Sequence, residues 1–263
     1  MKYSKYLTSC ELNPIEACNR RCSFCPRVSK ELFPNRYDQN MTPETYRNIL
    51  KHLQESDFEG YVSFAGFGEP LYAKYLFEGL EIISPHYDVK LITNGDRLTT
   101  KTLCKLKEYD IPMFKVDLYD GEHQLIKLQR ILKESNYDKP IFINKIYEGE
   151  KNEAYTKYYN RGGSVDVKSE AGYDNNRICH LPFNKLMIDW NGDYLLCMSD
   201  WFRNSDIAQD KSYNVNQMGI DEYLTSPKFK TFINKMKTTK RQGLTPCETC
   251  DIDGTLMGKT WDY

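Results

Sequence analysis

Cys18-Asn-Arg-Arg-Cys22-Ser-Phe-Cys25-Pro26 is the stretch that decides how this chain is read. Its three-two spacing lets one short loop bend around a single point, with all three sulfurs facing it. A tetrahedral zinc site takes four protein ligands, with pairs recurring at two separate places. An iron–sulfur cube held by three thiolates instead leaves one iron open to a small molecule. The competing reading is a structural zinc loop that borrows a distant fourth ligand.

Outward from this loop, apolar runs alternate with helical patterns. Strands are expected at residues 7–15, 61–67, 89–93, 114–119, 141–146 and 165–167. Helices are expected over 43–54, 76–83, 100–108 and 123–134. The first is the clearest: Thr42 caps it, Pro43 suits its first turn, and Tyr46, Ile49, Leu50 and Leu53 recur at helical spacing. Such alternation argues an α/β fold, with a parallel sheet and crossover helices. Six strands make an incomplete form of the barrel whose chemistry sits at the C-terminal strand ends. Near residue 170 the pattern changes. Runs at 185–190 and 194–198 flank Asn191-Gly192-Asp193, a hairpin signal. A helix-like run follows, with Tyr223, Leu224, Phe229, Phe232, Ile233 and Met236 as its buried face. The expected organisation is a barrel over 1–168 and a small hairpin-plus-helix domain over 169–263.

Gly66-Phe67-Gly68-Glu69-Pro70 follows the second strand. Its glycines allow close backbone approach to a ligand, and Glu69 offers an acceptor to an ammonium group. With CxxxCxxC one strand earlier, the chain resembles the radical S-adenosylmethionine (SAM) superfamily. The resemblance implies a partial (β/α)6 barrel in which Cys18, Cys22 and Cys25 hold a [4Fe–4S] cluster whose open iron binds SAM. It further implies cleavage of SAM to a 5'-deoxyadenosyl radical, which abstracts hydrogen from substrate. Gly66, Gly68, Glu69 and Pro70 match the family's Gly-Gly-Glu-Pro motif, which contacts the SAM amino group. Thr93-Asn94-Gly95 is similar to a segment at the third strand end of many relatives, where Asn94 either touches SAM or serves a tight turn. Asp120 stands where relatives carry Ser-x-Asp-Gly, a cofactor position by resemblance and a turn residue by its Asp-Gly sequence. Leu118 replaces the serine.

Cys179, Cys197, Cys247 and Cys250 form a second set, whose four thiolates suit zinc or a second [4Fe–4S] cluster. The set resembles the twitch domain, a shortened SPASM domain, which implies an auxiliary cluster. Asn160-Arg161-Gly162-Gly163 reads either as an arginine on a flexible turn at the site's mouth or as a surface turn. This segment, the Cys179–Cys197 spacing and the terminal CxxC are similar to radical SAM aminocyclitol dehydrogenases, which implies a substrate contact by Arg161. The implied reaction is two-electron oxidation of a secondary alcohol, with the auxiliary cluster accepting an electron. A one-electron donor protein such as flavodoxin or ferredoxin is the implied partner. An epimerase and a peptide maturase share the scaffold; an epimerase draws on a thiol hydrogen donor, for which Cys10 and Cys104 are the unassigned cysteines. A zinc-binding interaction protein is the reading from a different class.

The remaining residues point to packing. Cys10 and Cys104 read as buried small hydrophobes. His123 and His180 are candidate bases, and Tyr119, Tyr147 and Trp201 candidate pocket walls. Lys+Arg 36 against Asp+Glu 37 leaves no general pull toward nucleic acid or membrane. The basic run at 235–241 reads as a solvated helix end. No apolar stretch is long enough to span a bilayer, and the start lacks a secretory core. Nine cysteines at metal spacing, odd in number, fit a reducing cytoplasm better than a disulfide framework.

Overall fold

The computed structural model describes residues 3–151, 159–167 and 176–254. Its main sheet has the order β7-β6-β5-β4-β1-β8-β9. In chain order these strands are β1 (Ser9–Leu12), β4 (Tyr61–Phe64), β5 (Val89–Thr93), β6 (Met113–Leu118), β7 (Phe142–Lys145), β8 (Lys185–Ile188) and β9 (Tyr194–Leu195). Every neighbouring pair is parallel except β8 with β9. Two short strands, β2 (Ile15–Glu16) and β3 (Arg36–Asn40), pair antiparallel beside the cysteine loop. The expected first strand thus ends at Leu12. Asn13-Pro14 interrupts it, because proline cannot donate to the ladder.

Helices α1 (Pro43–Glu55), α2 (Leu76–Ile83), α3 (Thr100–Leu106) and α4 (Glu122–Glu134) occupy the expected places. Thr42 caps α1 by accepting from the Thr45 amide at 3.2 Å. These helices cover the outer face of the sheet, where Cys10, Leu12, Val62, Phe64, Val89, Leu91, Phe114 and Val116 are buried in one core. Because side chains alternate across a strand, the intervening residues face the barrel interior. They include Glu11, Ser63, Lys90, Lys115, Asp117, Asn144 and Lys185. A closed barrel fills this space with branched apolar side chains; here the polar lining leaves a cavity.

Three expectations need correction. Residues 165–167 form no strand; they continue from the turn at 161–164. The segment is too short to hold a ladder, and its amides turn back locally, Val165 to the Asn160 carbonyl at 3.2 Å and Val167 to the Val165 carbonyl at 3.1 Å. The sixth parallel strand is β8, which pairs with β1 in the register Ser9↔Lys185 to Leu12↔Ile188. The expected hairpin exists, with Gly192 at φ +92, but its first strand belongs to the barrel sheet. The boundary placed at 168/169 lies outside the described residues, and the sheet runs across it. The late helical run is also two helices, α6 (Ile220–Thr225) and α7 (Pro227–Thr238), after the short α5 (Leu181–Asn184). Ser226 caps α7 and Pro227 opens it, which breaks the run. The expected apolar face is buried across both.

Candidate active site

A cavity of about 300 Å³ opens at the C-terminal ends of the parallel strands. Cys18, Cys22 and Cys25 line it, together with Gly66, Gly68, Glu69, Asn94 and Arg161. Pro70 is buried and begins a short 3-10 turn beside Glu69 rather than lining the space. Asp120 also stays outside, where it accepts from the Arg20 guanidinium at 2.8 and 2.6 Å. That pairing holds its carboxyl below the ordinary range. Arg20 also reaches Asp96 at 2.7 Å and lies over the Tyr119 ring. Asp120 therefore fastens the cysteine loop in place.

The loop closes on itself, with the Cys25 amide donating to the Cys22 carbonyl at 3.0 Å. Cys18 Sγ accepts from the Arg20 amide at 3.4 Å and from Asn94 Nδ2 at 3.8 Å. Burial pushes the Cys18 thiol up to about 11 and the Cys22 thiol up to about 12, and each thiol feels the charge of its neighbours. Metal binding must displace those protons. Among the described residues, no three metal-ligating side chains converge tightly enough to grip a single ion. A four-iron cube takes its thiolates at its corners, farther apart than the ligands of one ion.

Glu69 is 3% exposed. Its Oε1 accepts from the Leu71 amide at 3.1 Å and the Thr93 hydroxyl at 2.5 Å, and its Oε2 from the Asn94 amide at 2.9 Å. A carboxylate has about four lone-pair sites, so one remains for a ligand donor. Burial outweighs these bonds and lifts its pKa to about 7. The two glycines are fixed by the protein itself. A Cβ on Gly66 would lie 2.6 Å from Asn13 Cα, and one on Gly68 would lie 2.1 Å from the Ile15 carbonyl. The turn is thereby held against the chain that leads into the cysteine loop.

Several supporting residues carry no motif. Asn13 Oδ1 accepts from the Phe67 amide at 2.9 Å and the Gly68 amide at 3.2 Å. Its Nδ2 donates to Asp189 at 2.7 Å. Arg27, 1% exposed, pairs with Glu16 at 2.8 Å and donates to the Phe67 carbonyl. Arg203 joins Glu16 to Asp189. Two arginines and two carboxylates thus cancel beneath the loop, which makes their burial tolerable. The hydrophobic weight around Arg27 comes from Phe33, Phe67 and Trp201, packed in one small cluster with Cys25. The sequence places Arg27 two residues after the cysteine triplet, but nothing in it marks that charge as buried.

Arg161 reaches the cavity from a turn on which Arg161, Gly162 and Gly163 all have positive φ, at 51°, 69° and 81°. The turn is clamped rather than flexible. Asn160 Nδ2 donates to the Thr249 carbonyl at 2.7 Å, and the Asn160 amide donates to Asp251 at 2.8 Å. The Thr249 hydroxyl donates to the Gly162 carbonyl at 3.0 Å. Thr249 lies inside the terminal CxxC. All four cysteines of that second set are buried and line one small recess, with Ser199 and Arg241 beside them. Burial raises Cys179, Cys197 and Cys247, with mutual repulsion among the sulfurs adding to it. Ser199 Oγ and Arg241 Nε are buried there without partners among the described residues. Four thiols with unspent donors around them suit a group rich in anionic sulfur.

Trp201 and Tyr119 line the cavity; Tyr147 instead bonds Glu122 at 2.7 Å. His123 is exposed beside a neighbouring recess, and His180 lies outside the cavity with its pKa lowered by burial. Cys10 is buried in the outer core, as expected. Cys104 is exposed, because the buried face of α3 is Leu103 and Leu106. No described helix is long and apolar enough to cross a membrane.

Residues 12–144, just over half the chain, match the family model of the radical SAM superfamily. Residues 179–251 match that of an iron–sulfur cluster-binding domain. The chain is 28% identical over 265 residues to the S-adenosyl-L-methionine-dependent 2-deoxy-scyllo-inosamine dehydrogenase of Niallia circulans, covering 98% of each. The crystal structure of BtrN in complex with AdoMet and 2-DOIA superposes with a TM-score of 0.74 and 24% identity, over 98% of both chains. Streptococcus suis SuiB bound to precursor peptide SuiA superposes at 0.55 with 13% identity, over 93% of this chain and 71% of that one. Likeness at these structural identities speaks to the fold alone. The match to the family model shows that this chain belongs to the radical SAM superfamily, and the curated relative makes it an enzyme homologous to a SAM-dependent dehydrogenase.

Proposed function

We propose that this enzyme oxidises a secondary alcohol of a small polyol, an aminocyclitol or sugar, using two [4Fe–4S] clusters. The observation that carries the reading is the clamp between the arginine turn and the second cysteine set. It ties the residue facing substrate to the place where an electron is to be accepted. Cys18, Cys22 and Cys25 would hold the SAM-binding cluster, and Cys179, Cys197, Cys247 and Cys250 the auxiliary one. The chemistry these groups supply when bound is a hydrogen-abstracting 5'-deoxyadenosyl radical and, at the second site, a one-electron acceptor.

The chain's own residues bind and orient. Glu69 offers its remaining acceptor to the SAM ammonium, and Asn94 holds the cysteine loop to the end of β5 through Asn19 at 2.9 Å. The Arg161 guanidinium donates to a substrate oxygen. Phe24, Tyr119 and Trp201 present apolar walls that limit water around a reactive centre. A flavodoxin- or ferredoxin-type protein would supply the first electron.

Two observations favour this reading over its rivals. Neither Cys10 nor Cys104 lines the cavity, so an epimerase lacks a thiol donor there. The cavity also presents charged side chains, Glu11 and Arg161, that can hydrogen-bond the hydroxyls of a small polyol. The test is anaerobic reconstitution, then incubation with SAM, reductant and 2-deoxy-scyllo-inosamine. Ketone and 5'-deoxyadenosine should form together; 5'-deoxyadenosine without any oxidised polyol, across a panel of cyclitols and sugars, counts against the proposal.

A further inference from the structure

Glu11 is the one acidic group lining the cavity among the described residues that neither the cofactor motif nor a pairing explains. Asp117 also lines it but is bound to Lys115 at 3.1 Å and Asn144 at 2.9 Å, and Glu69 is held by three donors. Glu11 lies on the inner face of β1, away from the cysteine loop, and its carboxylate makes no hydrogen bond or ion pair among the described residues. Directly beside it in the β1–β4 register is Ser63, whose hydroxyl is buried and likewise without a partner. Unmet polar groups at the floor of a cavity carry a desolvation cost that a ligand can relieve.

Three cations act on Glu11: Lys185 from β8, Lys90 from β5 and Arg161 from the clamped turn. Burial raises its pKa in spite of them. With cations outnumbering the carboxylate, a ligand ammonium approaching this end meets net repulsion. A neutral hydroxyl meets none, since it donates to Glu11 while its own oxygen accepts from a cation. Arg161 and Glu11 line the same cavity as the cysteine loop. A hydroxyl held by Arg161 and a neighbour held by Glu11 would belong to one ring.

We propose that Glu11 is a substrate-binding residue that accepts a hydrogen bond from a ring hydroxyl, while Arg161 donates to the adjacent oxygen, so that the enzyme selects a vicinal diol. This rests on the reading of the cavity as the seat of a polyol. The amine of an aminocyclitol is then directed away from the barrel floor. Lys90 and Lys185 oppose the rise that burial imposes on the Glu11 carboxyl rather than contacting substrate.

The experiment is calorimetric titration of the reconstituted, SAM-loaded enzyme, without reductant. The probes are 2-deoxy-scyllo-inosamine, a panel of other cyclitols, and analogues of the tightest binder that each lack one hydroxyl. Glu11→Ala and the equal-volume Glu11→Gln should weaken polyol binding about tenfold or more, with SAM affinity unchanged. One deoxy analogue should lose about the same factor against wild type and nothing further against Glu11→Ala. Wild-type polyol affinity in both variants, or equal loss of every analogue in variant and wild type, overturns the role of Glu11 while leaving the polyol reading standing. A wild-type enzyme that binds no polyol overturns both.

Discussion

Gly162→Ala isolates the clamp that sets Arg161. At φ +69 any side chain costs roughly 1–2 kcal/mol relative to glycine. The added Cβ would also stand 2.7 Å from the Ser199 carbonyl oxygen and 3.0 Å from Pro246 Cβ. Such overpacking adds roughly 1–3 kcal/mol unless the turn moves. The total of about 2–5 kcal/mol is the sum of those two ranges, and relaxing it means sliding Arg161 relative to the cavity. A misplacement near 1 Å costs on the order of 100-fold in rate. Gly243→Ala is the matched control: its φ is +66, but nothing lies within 4 Å of the added Cβ. It should cost only the strain, roughly 1–2 kcal/mol, and leave turnover intact. The assay is substrate oxidation and SAM affinity in both variants, beside thermal midpoints at roughly 2–4 °C per kcal/mol. Gly162→Ala should lose roughly 10- to 100-fold in turnover with SAM affinity unchanged, since Glu69 and Asn94 lie on other strand ends. Wild-type turnover in Gly162→Ala, or an equal loss in Gly243→Ala, would refute the reasoning.

Glu69→Ala should weaken SAM binding roughly 10- to 100-fold by removing a charge-assisted bond, with iron content unchanged; equal affinity would make the turn purely structural. Because burial lifts Glu69 to about 7, SAM affinity of the wild type should rise between pH 6 and 8 as the carboxylate ionises, and stay flat in the variant. The stability sign is opposite: the unfolded carboxyl ionises near 4.5 while the folded one resists, so this group lowers stability as pH rises from about 4.5 to about 7. Replacing Cys179 and Cys197 together by alanine should reduce iron from about eight to about four per chain, sparing SAM cleavage and abolishing net oxidation. Unchanged iron, or bound zinc in place of iron in the wild type after anaerobic preparation, would reject the ligand assignment.

The cysteine loop, the Gly-Phe-Gly-Glu turn and the four flanking helices were legible because each depends on local spacing. Thr42 and Pro43 mark the start of α1 in the sequence, and the structure caps it there. What escaped was non-local. β8 reads as half of a hairpin, since nothing in Lys185-Leu-Met-Ile tells that β1, far earlier in the chain, lacks a neighbour. Ser226-Pro227 does carry a helix-start signal, but apolar periodicity on both sides hid the break. In the site, Asp120 matched a family position yet spends its charge on Arg20. Cys104 looked buried from its composition, while the phase of α3 turns it outward. Asn13, Arg27 and Arg203 bind through partners at distances in sequence that no local pattern encodes. The flexible turn expected around Arg161 is instead held by Asn160, Thr249 and Asp251.

The most direct test of the account labels the substrate. A cyclitol carrying deuterium at the carbinol carbon is incubated with reconstituted enzyme, SAM and reductant, and both products are examined by mass spectrometry. The account predicts a ketone without deuterium at that carbon, and one deuterium in 5'-deoxyadenosine for each ketone formed. Recovery of an alcohol of inverted configuration with solvent hydrogen at that carbon, and no ketone, would contradict it.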